Sequence, residues 1–104
     1  MLRIFQVVGK SMEPMIRPDD YLLTCSSKKI KINDIVVLTD SNYGNIVKRV
    51  NSISKNEVLL KSDNKNYSSP TCEYSHSVNN IIGKVFFKIR LIKFNQFFKN
   101  YLNF

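Results

Sequence analysis

The serine in Gly9-Lys10-Ser11-Met12-Glu13-Pro14-Met15 stands out among the side chains that could do covalent chemistry. An apolar run, Ile4–Val8, enters Gly9, and Pro14 ends regular pairing beyond it. The Ser11 hydroxyl therefore falls on a strand-to-turn corner, where Gly9 leaves little bulk against an approaching polypeptide. A serine in this setting can equally cap the following turn. As a nucleophile it would need a base. The only histidine, His76, sits in a polar loop with no orienting partner evident in the sequence. A lysine serves only when neutral. Its ordinary pKa of about 10.4 must fall by roughly three pH units, at a cost of about 4 kcal/mol of differential solvation. Lys48 meets that requirement. In Asn45-Ile46-Val47-Lys48-Arg49-Val50, strand alternation puts Ile46, Lys48 and Val50 on one face and Val47 with Arg49 on the other. On an edge strand the same lysine would simply reach out to water.

The elements that must carry these groups are short β-branched and aromatic runs. Ile4–Val8, Tyr21–Thr24, Asp34–Thr39, Asn45–Ile53, Glu57–Lys61 and Ile81–Ile89 are predicted strands. Asp, Asn, Ser, Gly and Pro clusters separate them and supply the turns. The spacing predicts a mainly β domain, a compact antiparallel barrel or sandwich, over residues 1–90. Residues 62–80 are polar and irregular and form a long candidate functional loop. In the tail, residues 91–104, the period changes. Leu91, Phe94, Phe98, Tyr101 and Leu102 recur at helical spacing, with Lys93, Gln96, Lys99, Asn100 and Asn103 between them. This basic amphipathic segment is expected to pack on the domain as a short helix, the alternative being a membrane surface or a partner.

Composition narrows the function classes. A chain of 104 residues with 43% hydrophobic content holds one modest core. The net charge of +8 is spread along the chain rather than gathered in a block, and aromatics are not interleaved with basic residues in the strands, so a nucleic-acid partner is not expected. Two cysteines make no disulfide framework, and Cys72-x3-His76 with distant Cys25 is a poor zinc pattern. Neither a metal nor a cofactor is expected. No run reaches about 18 apolar residues, so a soluble, cytoplasmic protein is expected.

Five motifs in order resemble the Ser–Lys peptidases, the superfamily that joins type I signal peptidases and self-cleaving SOS repressors. They are Gly9-x-Ser11-Met12-x-Pro14, Pro18-Asp19-Asp20, Asn33-Asp34-Ile35-Val36-Val37, Val47-Lys48-Arg49-Val50 and Ser62-Asp63-Asn64. The resemblance implies that Ser11 attacks the scissile carbonyl and that Lys48 is the general base. It implies that the Ser11 N–H donates to the oxyanion, that Met12 packs beside the site and shapes the cleft, and that Asp63 and Asn64 support their loop. It also assigns Ser68, or less directly Ser69, to orienting the lysine. The departures are Asp19-Asp20 and Asn33-Asp34, where the family usually has Gly-Asp, and Pro70-Thr71-Cys72, where signal peptidases have Asp-Ser-Arg. Asx residues tolerate left-handed backbone, so the turns survive. The changed loop implies loss of its supporting ion pair. Some signal peptidases place a second oxyanion donor, a serine, where Gly9 stands.

The chain starts close to Ser11, so a membrane-anchored signal peptidase, which needs an N-terminal span, and a self-cleaving repressor, which needs an upstream DNA-binding segment, are not the expected branches. By length and loop type it most resembles the nickel-type superoxide dismutase maturation proteases, whose substrate is a nickel superoxide dismutase precursor. Two other classes remain open: a non-catalytic binding module on the same fold, in which Lys48 stays charged, and a small nucleic-acid-binding barrel.

Overall fold

The computed structural model describes residues 1–26, 29–67 and 69–91. Seven strands run through them: β1 (Leu2–Gln6), β2 (Tyr21–Cys25), β3 (Ile35–Asp40), β4 (Gly44–Ser54), β5 (Glu57–Lys61), β6 (His76–Ser77) and β7 (Ile81–Ile89). All pair antiparallel in one sheet of order β1-β2-β7-β3-β4-β5-β6. The mainly β fold anticipated from the sequence is present. β1 and β6 are its edges, so the sheet is not closed into a barrel by pairing among the described residues.

Local chemistry explains the hairpins. Between β3 and β4, one carboxylate oxygen of Asp40 accepts the N–H groups of Asn42 and Tyr43 at 2.9 and 3.0 Å, and Gly44 takes φ +73° to re-enter the sheet. Between β4 and β5, Ser54 faces Glu57 across a two-residue turn whose first residue, Lys55, has φ +55°. Asp19 and Asn33 adopt φ +72° and +76°, the left-handed backbone that their Asx chemistry tolerates in place of glycine.

The sheet carries a core on each face. Val36, Leu38, Val50, Val58 and Leu60 form one cluster, with Ile46 and Cys72 against it. Val7, Met12, Ile16 and Leu22 form the other, with Ile35, Val47 and Val85 against it. β4 thus sends Ile46 and Val50 to one core and Val47 to the other, as alternation requires.

Sequence and structure differ at several places. β1 occupies Leu2–Gln6 rather than Ile4–Val8, because Val7 leaves the ladder to bond the Asp20 end of the next turn. The loop of residues 62–80 holds a 3-10 turn at Pro70–Cys72, the two-residue β6 and a second 3-10 turn at Val78–Asn80. The two-residue β6 is too short for periodicity to reveal. His76, read as lacking a partner, is buried. Its Nε2 donates to the Thr71 carbonyl at 2.7 Å, its Nδ1 lies 3.8 Å from Asp40, and its ring meets that of Tyr74 at 4.8 Å. The tail helix expected over residues 91–104 lies outside the described residues except for Leu91.

Two buried carboxylates make stability sensitive to acid. Asp20 is held below the ordinary carboxylate range mainly by the Arg90 guanidinium, with the Arg17 N–H helping against the cost of burial. Asp40 is lowered mainly by the Tyr74 hydroxyl at 2.6 Å, which pushes Tyr74 up to about 12. Because the folded pKa values lie below the unfolded one, about 3.9, this stabilisation is present above that value and is lost as pH falls through the folded values. Thermal unfolding followed by circular dichroism should give a Tm that is flat near neutrality and drops below about pH 4. A combined Asp20→Asn and Asp40→Asn variant should show a shallower acid slope; an unchanged slope would assign the acid sensitivity to other groups.

Candidate functional site

Residues 7–20, between β1 and β2, form the turn that presents Ser11. Its backbone is tied at several points. Val7 N–H donates to Asp20 O at 2.8 Å, Asp19 N–H to Val7 O at 2.9 Å, and Ile16 N–H to Met12 O at 2.9 Å. Met12 and Ile16 are each 1% exposed and pin the turn to the core. Gly9 takes φ +91° with open space where a side chain would project, so backbone conformation rather than crowding requires glycine there.

The loop after β5 grips the turn from the other side. Asn64 N–H donates to Ser11 O and Asn64 Nδ2 to Lys10 O, both at 2.9 Å. Asp63 receives Arg49 Nε and Nη2 at 2.8 Å each, a bidentate pair, while Arg49 Nη1 donates to Asn33 O at 2.8 Å. The ion pair thought lost with the changed Pro70-Thr71-Cys72 loop has this counterpart on β4. Arg49 lies opposite Lys61 in the β4–β5 register, so a residue two positions beyond β5 falls within reach of its long side chain. That register was the available signal; alternation placed Arg49 with Val47 on the face opposite Lys48 but did not connect it with Asp63.

Lys48 faces Val36 across β3 and is 4% exposed. Its Nζ lies 2.6 Å from Ser11 Oγ. Burial lowers its pKa from the ordinary lysine value, opposed more weakly by the nearby Cys72. Cys72 Sγ in turn lies 3.7 Å from Ser62 Oγ. Ser11 and Lys48 both line a cleft of about 400 Å³, with Phe5–Val8 of the first strand and its extension on one side and Asn45–Val47 of β4 on the other. Leu22, Val37 and Tyr43 complete its wall. The lining is mostly apolar and extended, which suits a polypeptide better than a compact polar metabolite.

Several assigned residues stand elsewhere. Met12 is buried beneath the turn and does not line the cleft, so it holds Ser11 in place instead of shaping the wall. Ser69 spends its hydroxyl on Thr71 at 3.0 Å, and Ser68 lies outside the described residues. His76 does not line the cleft. Cys25 and Cys72 are free and half-buried. Among the described residues no group of three or more His, Cys, Asp or Glu side chains is placed to hold a metal ion, and no helix is long and apolar enough to cross a membrane.

Residues 2–86 match the family model described as peptidase S24-like. The chain belongs to the S24-like peptidase family. The matched span takes in the Ser11 turn, β4 with Lys48 and the Asp63-Asn64 loop, and it stops inside β7. Membership points to serine-protease-type function on a protein substrate. No curated protein matches the sequence.

Proposed function

We propose that this S24-like chain is a Ser–Lys endopeptidase that removes an N-terminal leader from a protein precursor. The observation that carries the reading is the 2.6 Å contact between Lys48 Nζ and Ser11 Oγ beside a cleft open to solvent. A neutral Lys48 amine takes the hydroxyl proton as Ser11 Oγ bonds to the scissile carbonyl carbon. The Ser11 N–H faces the resulting oxyanion, a contribution of about 3–4 kcal/mol in comparable sites. The ammonium then protonates the leaving amine, and the regenerated amine activates water to hydrolyse the acyl-enzyme. Gly9 leaves room for the substrate backbone, and Ser68 is proposed to orient the Lys48 amine. Asp63 and Asn64 maintain the geometry of the turn.

The finer assignment, a nickel superoxide dismutase precursor as substrate in a cytoplasmic setting, rests on the sequence resemblance alone. Co-expression with such a precursor, reading its N-terminus by mass spectrometry, tests it. Leader removal by the wild type but not by Ser11→Ala supports both chemistry and substrate. An intact precursor alongside cleavage of other leader peptides would retain the chemistry and reject the substrate. A Lys48 that titrates at the ordinary lysine value would favour the non-catalytic binding module.

A further inference from the structure

Lys48 is buried without a counter-ion. Among the described residues none of the ion pairs includes it, and its Nζ meets Ser11 Oγ. What else stands around the amine therefore decides how readily it holds a proton. In the β4–β5 register, Arg49 lies opposite Lys61 and Val50 opposite Leu60. One step further, the same register puts Ser62, the residue after β5, opposite Lys48. Residues opposite one another share a face, and on this face Val50 and Leu60 join the first core cluster. Cys72, from the 3-10 turn Pro70–Cys72, packs against that cluster, as does Ile46. Its Sγ lies 3.7 Å from Ser62 Oγ. Two separate segments thus bring a hydroxyl and a thiol to the strip that carries Lys48.

We propose that Ser62 and Cys72 are positioning residues for the Lys48 base, flanking its side chain with polar atoms but no carboxylate. The buried amine is then left with the Ser11 hydroxyl as its partner and nothing to hold it as an ammonium. The lowered pKa of Lys48 agrees with this placement, since burial is its main cause and Cys72 is the group that opposes it. Charged groups on the surrounding elements are engaged elsewhere or turned to solvent. Beyond Val36, which separates it from Lys48 in register, Lys84 of β7 holds Asp34 at 3.1 Å. On β4 Arg49 holds Asp63, and on β5 Lys61 donates to Asn33 Oδ1 at 3.1 Å. Lys10, beside Ser11, and Glu73, beside Cys72, are exposed. A negative charge introduced at either position of the pair would therefore act on Lys48 with little competition. The kinetic consequence rests on the peptidase reading, whereas the electrostatic one does not.

Cys72→Asp and Cys72→Asn, compared in the full chain, separate charge from shape. A carboxylate beside the amine stabilises the ammonium form, so the Lys48 pKa should rise by about one pH unit or more relative to the Asn variant. Lysine-selective NMR reads that value, the Lys48 signal being assigned by its loss in Lys48→Met. The acid limb of kcat for a leader peptide should move up with it, about a tenfold loss of rate at a pH on that limb. Ser62→Asp against Ser62→Asn repeats the comparison from the other segment if Cys72→Asp does not fold by circular dichroism; Ser62 and Cys72 are both half-buried. A Lys48 pKa and acid limb that stay put in the folded Asp variants would overturn the inference and leave the peptidase reading standing. Equal loss of rate in Asp and Asn variants, with the pKa unmoved, would also overturn it and reduce the pair to packing. A Lys48 pKa that rises in the Asp variants while the wild type cleaves no leader peptide would support the placement of the pair and count against the peptidase reading.

Discussion

Lys48→Met should abolish peptide cleavage while leaving the protein at least as stable as the wild type. Lys48 is 4% exposed, and its pKa is lowered chiefly by burial. A buried amine costs solvation free energy, and a methionine of similar length removes that cost while filling the same space. Loss of the base should lower kcat by about 10⁴–10⁶-fold, and Ser11→Ala should match it because residues acting as one unit are not additive. The double variant should therefore be no slower than either single one. The wild-type rate should rise with pH through an acid limb lying below the ordinary lysine value, because only the neutral amine accepts the Ser11 proton. Steady-state cleavage of a leader peptide from pH 5 to 10, with Tm measured in parallel, checks each part. Full activity in Lys48→Met would reject the lysine as base. A large drop in its Tm would make Lys48 a structural residue.

Arg49→Ala should be the next most damaging change. The bidentate Arg49–Asp63 pair is largely shielded, at 20% and 16% side-chain exposure, so cutting it leaves a poorly solvated carboxylate in the loop that holds Ser11. The expected stability loss is about 2 kcal/mol, below the range for a fully buried pair. The kinetic loss should be larger in proportion. Asn64 bonds both Ser11 O and Lys10 O from the next position, so a small shift of the loop carries over to Ser11. Displacements of about 1 Å in such sites can cost on the order of 10²-fold in kcat. Asp63→Ala should resemble Arg49→Ala, and the pair combined should add little beyond either. Full additivity in kcat would show that the two do not act through this contact.

The way the site is assembled explains what could be read in advance. Alternation alone put Lys48 between Ile46 and Val50, and the Gly9–Pro14 frame alone put Ser11 on a turn, because both are governed by neighbours a few residues away. Turn chemistry was equally local. Asp19 and Asn33 hold left-handed backbone by their own side-chain type. The strands were legible for the same reason, apart from the exit of Val7 and the two residues of β6.

What the tertiary structure alone decided lies in the long-range pairings. Lys48 and Ser11 are 37 positions apart, and no periodicity states that their side chains meet at 2.6 Å. Arg49 found Asp63 through the β4–β5 register, Met12 went beneath the turn instead of into the cleft, and His76 was consumed by Thr71 and Asp40. Those outcomes depend on how two cores on opposite faces of one sheet bring distant loops together. Sequence determined which side chains could do the chemistry and which backbone each turn would take. Packing determined which of them share a site, since burial and contact are properties of the assembled sheet and of no single segment.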